Sequence, residues 1–424
     1  MNTTRHLAVL VAASALAWRC GAEPMRVAAP AAIPIDLPAA IALALDQPAV
    51  RAAAHEAAAA DALVAQADRL PNPTLSYVRE GQQAGLRTTT VQVDQPIELG
   101  GKRGARVALA RGAAALAEGD RLAQRQAVRA DVIAAYYAVL VAGHRLAVAQ
   151  AALDLARKTV DVTARRVAAG KISPIDATRA RLALVDADTA HNGAAAALAI
   201  ARTTLGALTG RPADGLVLAD DAERLPDAAP LAALLARTDD SAAVRRARGQ
   251  LAARRAQVDV ERAARVPDVR LSVGTQRDDQ VGKRQTVVGL SVPLPLFDRN
   301  ADALRAALRR TDQAGDELAA AATAARAALA SAHTRYVSAR REAQLLRDDV
   351  VPNAQAAYEQ TLKGFEYGKF SFLDVESAQR TWHGAQARQW DSVETAWRAW
   401  ADIERLAGAD AGTAATATEQ RTRN

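Results

Sequence analysis

The sequence predicts a mainly α protein with a small β part, in which one unit of helix, β-hairpin, long helix and return helix occurs twice. Three observations predict it. About a quarter of the 424 residues are alanine, and with abundant Leu, Arg and Glu this favours long helices, because Ala loses no side-chain entropy in one. Landmarks recur in the same order at a nearly constant separation. A heptad pattern runs unbroken through one predicted helix.

The landmarks fix the repeat. Gly170-Lys171-Ile172-Ser173-Pro174-Ile175-Asp176 reappears 198 residues later as Gly368-Lys369-Phe370-Ser371-Phe372-Leu373-Asp374. Leu208-Thr209-Gly210 returns as Leu406-Ala407-Gly408 at the same displacement. Arg69-Leu70-Pro71 answers Arg265-Val266-Pro267 at 196, and Pro96-Ile97-Glu98-Leu99 answers Pro293-Leu294-Pro295-Leu296 at 197. Leu37 and Ile41 are matched by Leu231 and Leu235. A period of about 195 residues is a duplication, too long for a solenoid.

Composition excludes several classes. Only 4% of residues are aromatic, with one Cys, two Met and six His, which rules out a disulfide scaffold, a zinc-finger array and a Met-rich metal store. No P-loop, dinucleotide fingerprint, HExxH or GxSxG occurs, so neither an enzyme nor a cofactor is expected. His55, His144, His191, His333 and His383 lack ligand spacing with one another or with Cys20, so no metal site is expected. The net charge of +7 and pI near 9.8 come from Arg interleaved with Asp and Glu, without a basic run joined to stacking aromatics. No nucleic-acid partner is expected.

In chain order, residues 1–22 read as a signal peptide. Arg5 and His6 close a short basic region, and Leu7 to Ala17 is apolar but too short to span a bilayer. Ala15-Leu16-Ala17 is an A-x-A cleavage site, with Cys20-Gly21-Ala22 as a second. Lipidation at Cys20 is disfavoured, because Arg19 stands where lipoprotein signals want a small residue. No later window approaches about eighteen uncharged apolar residues, so no transmembrane helix is expected and any membrane crossing falls to strands.

The first repeat covers 23–210, with strands at about 73–80 and 87–96, a long helix over 101–169 and a return helix over 174–208. A linker rich in Asp and Pro, 211–230, separates it from the second repeat, 231–408. There, strands are expected at 268–275 and 286–294, a long helix over 299–367 and a return helix over 372–406. Residues 409–424 form a small, polar tail. Val269, Leu271 and Val273 alternate with Arg270, Ser272 and Gly274, which is the period of a strand with one apolar face. Pro96 and Pro293 are expected to close the second strand of each hairpin.

The seam of the first long helix pairs Val132, Val139, Leu146, Leu153, Val160 and Val167 with Val128, Ala135, Ala142, Ala149, Ala156 and Thr163. One large and one small residue per heptad make a coiled-coil seam that lets backbones approach closely. The second copy is looser: Leu329, Tyr336, Ala343, Val350 and Ala357, beside Ala332, Ala339 and Leu346. A secreted coiled-coil scaffold without a channel would share this seam, but it gives no reason for the amphipathic hairpins. Four strands cannot span a membrane alone, because their edges would face lipid unpaired. The expectation is a β-barrel and a helical tube, both closed by association.

This plan resembles the outer-membrane factor family, the TolC-like exit ducts of Gram-negative export machines, over nearly the whole mature chain. Gln95-Pro96-Ile97-Glu98-Leu99-Gly100-Gly101-Lys102-Arg103 is similar to the strand-to-helix junction of its cobalt–zinc–cadmium (CzcC-like) branch. The resemblance implies a homotrimer, a twelve-stranded barrel embedded in outer-membrane lipid and a helical tunnel through the periplasm. It also implies an inner-membrane resistance-nodulation-division (RND) pump and a periplasmic adaptor as partners. Heavy-metal cations are the cargo it suggests, with drugs, solvents or other substrates as the alternative.

By the same resemblance, the two copied turns form the periplasmic entrance where adaptor tips dock. Its residues are Gly170, Lys171, Ser173 and Asp176, with Gly368, Lys369, Phe370, Ser371 and Asp374. Asp176 and Asp374 resemble acidic residues that ring a closed entrance, while Phe365 and Phe370 stand where a Tyr and an Arg can tie such tips shut. The residues alone also read as caps: Ser173 and Ser371 as N-caps with Asp176 and Asp374 at N3, two capping boxes, and Gly170 and Gly368 as helix stops. Trp382, Trp390, Trp397 and Trp400 on the last helix are expected to pack in the core.

Overall fold

The computed structural model describes residues 34–83, 85–212 and 217–408. The signal peptide with Cys20, and the polar tail from 409, lie outside the described residues. The first repeat contains β1 (Pro34–Ile35), α1 (Leu37–Leu45), α2 (Pro48–Ala67), β2 (Thr74–Glu80), β3 (Thr88–Ile97), α3 (Lys102–Ala168) and α4 (Pro174–Thr209). The linker holds β4 (Val217–Leu218). The second repeat contains α5 (Leu231–Ala236), α6 (Ala242–Ala264), β5 (Val269–Asp278), β6 (Lys283–Ser291), α7 (Ala301–Leu345), α8 (Val351–Glu366) and α9 (Phe372–Ala407). The chain is mainly helical, with long helices running from a small four-stranded sheet.

The 67 residues of α3 would run about 100 Å at 1.5 Å per residue. Its heptad rows explain how it stays packed over that length. Val128, Val132, Ala135, Val139, Ala142, Leu153, Ala156 and Thr163 are all buried. At mid-length α3 crosses the final helix, α9. There Tyr137 stacks on Trp397 with planes 6° apart, and Trp390 stacks on His144 at 4.1 Å between centroids. Trp400 packs against Tyr336 of α7, so three of the four tryptophans of α9 join the main core.

A belt of irregular chain surrounds this core, held by the polar tips of its aromatics. Tyr136 Oη donates to the carbonyl of Ile35 at 2.9 Å, Trp397 Nε1 donates to that of Ala222 at 2.8 Å, and Tyr336 Oη donates to that of Pro226. Burial pushes the Tyr136 and Tyr336 hydroxyls well above the ordinary tyrosine range, so both remain protonated donors. The linker adds a short parallel pair, Pro34 with Val217 and Ile35 with Leu218. This pair was not legible in two-residue segments.

Four expectations need correction. The second long helix is not one helix over 299–367: a π-helical turn, Leu346–Val350, divides α7 from α8. Pro352 follows at the start of α8; it has no N–H to donate and its ring crowds the carbonyl four residues back, so a regular α ladder cannot pass through it. A π turn inserts one extra residue, and the seam shifts by one. Leu346 is buried as expected, but Val350 and Ala357, expected in the seam, are exposed, and Tyr358 and Phe365, one position further on, are buried instead.

The second hairpin also differs. β5 and β6 run deep into the expected loop and turn tightly, with Gly282 N donating to Asp278 O at 2.9 Å. The polar stretch Thr275–Asp278 carries no apolar signal, yet it pairs fully with Lys283–Thr286. At the other end, Pro96 lies inside β3, paired with Arg270, while β6 stops at Ser291, two residues before Pro293. Finally, α3 does contain an 18-residue stretch long and apolar enough to cross a membrane. Tryptophans of α9 pack on the apolar middle of α3, and 44% of that stretch is buried.

Candidate functional site

Three zones carry functional geometry: the sheet, the junction below it and the helix tips at the far end. The sheet has strand order β2-β3-β5-β6, antiparallel throughout. β3 and β5 join the two repeats, and β2 and β6 are edges without a partner strand among the described residues.

Registers sort its side chains into two faces. Leu75, Val93, Val273 and Val288 form one cross-strand row, and Ser76, Gln92 and Gly274 belong to the opposite face. The apolar face is the open one: Leu75 is 71% exposed, Val288 69% and Leu290 70%. The polar face is the less exposed one at its centre, where Ser76, Gln92, Ser272 and Gly274 are half-buried and Asp94 is only 9% exposed. This inverts the rule for a soluble sheet, which buries its apolar face.

Asp94 was not anticipated from the sequence. It accepts from Ser272 Oγ at 2.5 Å, from Ser76 Oγ at 3.5 Å and from Gln92 Nε2 at 3.3 Å. One carboxylate thus ties β2, β3 and β5 together on the polar side. Gly274 allows the close approach there, since a Cβ would stand 2.4 Å from the Val91 carbonyl oxygen.

At the junction the chain turns from β3 into α3 through two left-handed glycines, Gly100 at φ 67° and Gly101 at φ 75°. A Cβ on Gly100 would also collide with Val266, at 2.6 Å. Lys102 pairs with Asp268 at 2.7 Å and Arg103 with Asp68 at 3.0 Å. The centre is Arg106, which no motif singled out. Its guanidinium forks onto Glu98 at 2.5 and 3.1 Å and donates to the carbonyls of Ala67 and Arg69. In the second repeat Asn300, at φ 54°, replaces the glycine pair and donates to both the carbonyl and the carboxylate of Glu261. Pro293 belongs to an exposed apolar segment through Leu294, Leu296 and Phe297.

The tips repeat in atomic detail at their helix stops. Gly170 and Gly368 are left-handed, at φ 68° and 73°. Their amides donate to the carbonyls of Val167 and Phe365, and the Lys171 and Lys369 amides donate to those of Arg166 and Gly364. These are two Schellman caps.

The helix starts differ, which corrects the expectation of two capping boxes. Ser371 and Asp374 form a complete box: Ser371 N and Oγ donate to the Asp374 carboxylate at 2.8 and 2.7 Å, and Asp374 N returns a bond to Ser371 Oγ. These donors hold the Asp374 carboxyl below the usual carboxylate range. Ser173 instead accepts from Ile175 N at 3.3 Å, and the Asp176 carboxylate pairs with Arg179 at 3.6 Å.

The structure brings the two tips together through Arg166, which sequence reasoning passed over. Its guanidinium sits 4.2 Å above the Phe365 ring and reaches the carbonyls of Phe365 and Glu366. A cation over an aromatic face, at the carbonyl end of a helix, is favourable on both counts. Phe365 is therefore buried in a cluster with Phe372, Tyr358, Val375 and Ala180, turned inward. Phe370 stays half-exposed over Gly364, where any Cβ would meet its ring.

Among the described residues, no group of three His, Cys, Asp or Glu side chains is placed to hold a metal ion. His144 is stacked on Trp390, His333 contacts the Ala229 carbonyl, and His383 is hydrogen-bonded to Gln386, with burial lowering its pKa.

Known proteins resemble this chain in sequence and in fold. The family described as outer membrane efflux protein matches residues 41–211 and 237–409, one segment per repeat. The cobalt-zinc-cadmium resistance protein CzcC of Cupriavidus metallidurans is 36% identical over 84% of this chain and 86% of its own. The nickel and cobalt resistance protein CnrC of the same organism is 30% identical over 72% of this chain and 70% of its own. The crystal structure of the outer membrane protein VceC from Vibrio cholerae superposes with a TM-score of 0.73 at 20% identity, covering 88% of this chain and 96% of that one.

Proposed function

The chain belongs to the outer membrane efflux protein family, and from that premise we propose that it is the exit duct of a tripartite efflux machine exporting heavy-metal cations. Three copies close their four-stranded sheets into one twelve-stranded barrel in the outer membrane, and their helices into a tunnel through the periplasm. The observation that carries this reading is the inverted sheet. An open apolar face, a less exposed polar face and, among the described residues, two unpaired edges suit a third of a lipid-facing barrel with a wet lumen.

The duct has no chemistry of its own to perform. Transport through it is passive, and an RND pump in the inner membrane drives it through a periplasmic adaptor. The tips at Gly170–Asp176 and Gly368–Asp374 form the entrance and the adaptor-docking surface. With three protomers, Asp374 contributes three ionised carboxylates around one axis, which raises the local cation concentration. The metal cargo is supported by the cobalt, zinc, cadmium and nickel named for the CzcC and CnrC relatives.

The test is a deletion strain complemented with the full chain. Restored tolerance to zinc, cobalt and cadmium, without change in tolerance to drugs or solvents, is the expected outcome. Restoration of drug tolerance alone would reassign the cargo. A secreted protein whose outer-membrane fraction shows no heat-modifiable oligomer would remove the duct itself.

A further inference from the structure

The apolar face of the sheet ends abruptly in a row of arginines. Arg79 of β2 is paired with Thr89, Thr89 with Arg277 of β5, and Arg277 with Arg284 of β6. By the period-two rule these side chains share a face with Leu75, Tyr77, Val91, Val93, Val273 and Val288. All three arginines are exposed. Arg277 and Arg284 stand directly opposite each other, a like-charge cross-strand pair that destabilises a sheet unless something compensates it. The only carboxylate in ion-pair reach of the row, among the described residues, is Asp279, 3.1 Å from Arg277. Arg79 and Arg284 have none.

The position of the row is as informative as its charge. Val269 to Arg277 is eight residue steps along β5, about 26 Å of strand and about 20 Å of depth at a barrel tilt near 40°. The arginines therefore stand at the margin of the apolar band, on the side away from the helices. Arginine facing lipid is costly at the midplane and tolerated only near the interface. Its planar fork matches phosphate with two parallel hydrogen bonds.

We propose that Arg79, Arg277 and Arg284 form a binding site for the phosphate groups of anionic lipid in the outer leaflet. Each protomer carries one such site, and the bound phosphate relieves the Arg277–Arg284 repulsion. The proposal rests on the barrel reading above, and its test separates the two.

Purified protein is placed in lipid nanodiscs, and retention of diphosphorylated lipid A is measured against its dephosphorylated form. The native chain is expected to favour the phosphorylated lipid by about tenfold or more, the scale of a hydrogen bond to a charged group, and free inorganic phosphate should not displace it. The triple variant Arg79→Gln/Arg277→Gln/Arg284→Gln is expected to lose that preference, yet keep its heat-dissociable trimer and its conductance. The Arg270→Gln variant, on the polar face, should retain the preference. Equal retention of both lipids by a native, conducting trimer would overturn the lipid site and leave the duct standing. A native chain that forms neither trimer nor channel would overturn both.

Discussion

The two repeats descend from one plan, yet they divide the work unequally. The return helix of the second, α9, buries Trp390, Val393, Trp397, Trp400 and Ile403 in the main core. Its counterpart in the first, α4, leaves Leu182, Val185 and Ile200 open to solvent. The long helices differ in the same sense. α3 is continuous over 67 residues, while its counterpart is broken by a π turn into α7 and α8. Duplication supplied two hairpins and two tips that share their Schellman stops. Divergence then set the second copy's return helix against α3 in the protomer core and left the first copy's return helix with an exposed apolar flank.

That asymmetry can be broken deliberately. The largest effect is expected from deleting Asp349 within the π turn. Removing the extra residue rotates α8 by about 100° and turns Tyr358 and Phe365 out of their cluster. At about 1.5–3 kcal/mol per buried large side chain, the loss is about 3–6 kcal/mol, read as a fall in the denaturation midpoint. An unchanged midpoint would mean that the π turn sets no register.

Next, Trp397→Ala should cost about 3–5 kcal/mol, as for aromatic truncation in a core, and release the belt at Ala222. By contrast, Ile200→Ala should change monomer stability by less than about 0.5 kcal/mol while lowering the temperature at which the oligomer dissociates. If Ile200→Ala left that temperature unchanged, the open flank of α4 would not be an interface. A smaller difference separates the two helix starts. Ser371→Ala removes a complete box and should cost about 1 kcal/mol, and Ser173→Ala about half of that.

The smallest effect on stability, though not on transport, belongs to Asp374→Asn. Cation selectivity of reconstituted channels should fall, read from reversal potentials. Because the folded pKa of Asp374 is depressed below its ordinary 3.8, the contribution of the charged box is fully present above that value. It is lost only as pH falls through the lowered pKa. Selectivity should therefore be flat across neutral and mildly acidic pH. A titration near pH 6 would point to another group.

What was legible in the sequence was whatever repeats or has a period. The seam of α3, the alternating strands and the glycine stops at Gly170 and Gly368 each carry a pattern that local physics dictates. What was not legible depended on contacts between distant segments. Nothing near Arg106 announces that Glu98 and the carbonyls of Ala67 and Arg69 converge on it. Arg166 reads as one more surface arginine until the second tip folds beside it. Asp94 looked like a polar step in a strand, and only the β3–β5 register brings Ser272 to it. The π turn escaped because its cause, Pro352, lies in a stretch where alanine keeps the heptad plausible on either register. The two capping boxes looked identical, and Arg179, three residues past Asp176, distinguishes them.

The central claim is that the inverted sheet is one third of a membrane-spanning duct. Planar-bilayer recording on the purified chain tests it most directly. Discrete, long-lived conductance steps from a heat-dissociable homotrimer are expected, and they should be abolished by Val273→Asp on the apolar face but retained in Gly289→Ser on the polar face. A chain that stays monomeric in detergent and produces no steps, or whose conductance ignores Val273→Asp, would contradict it.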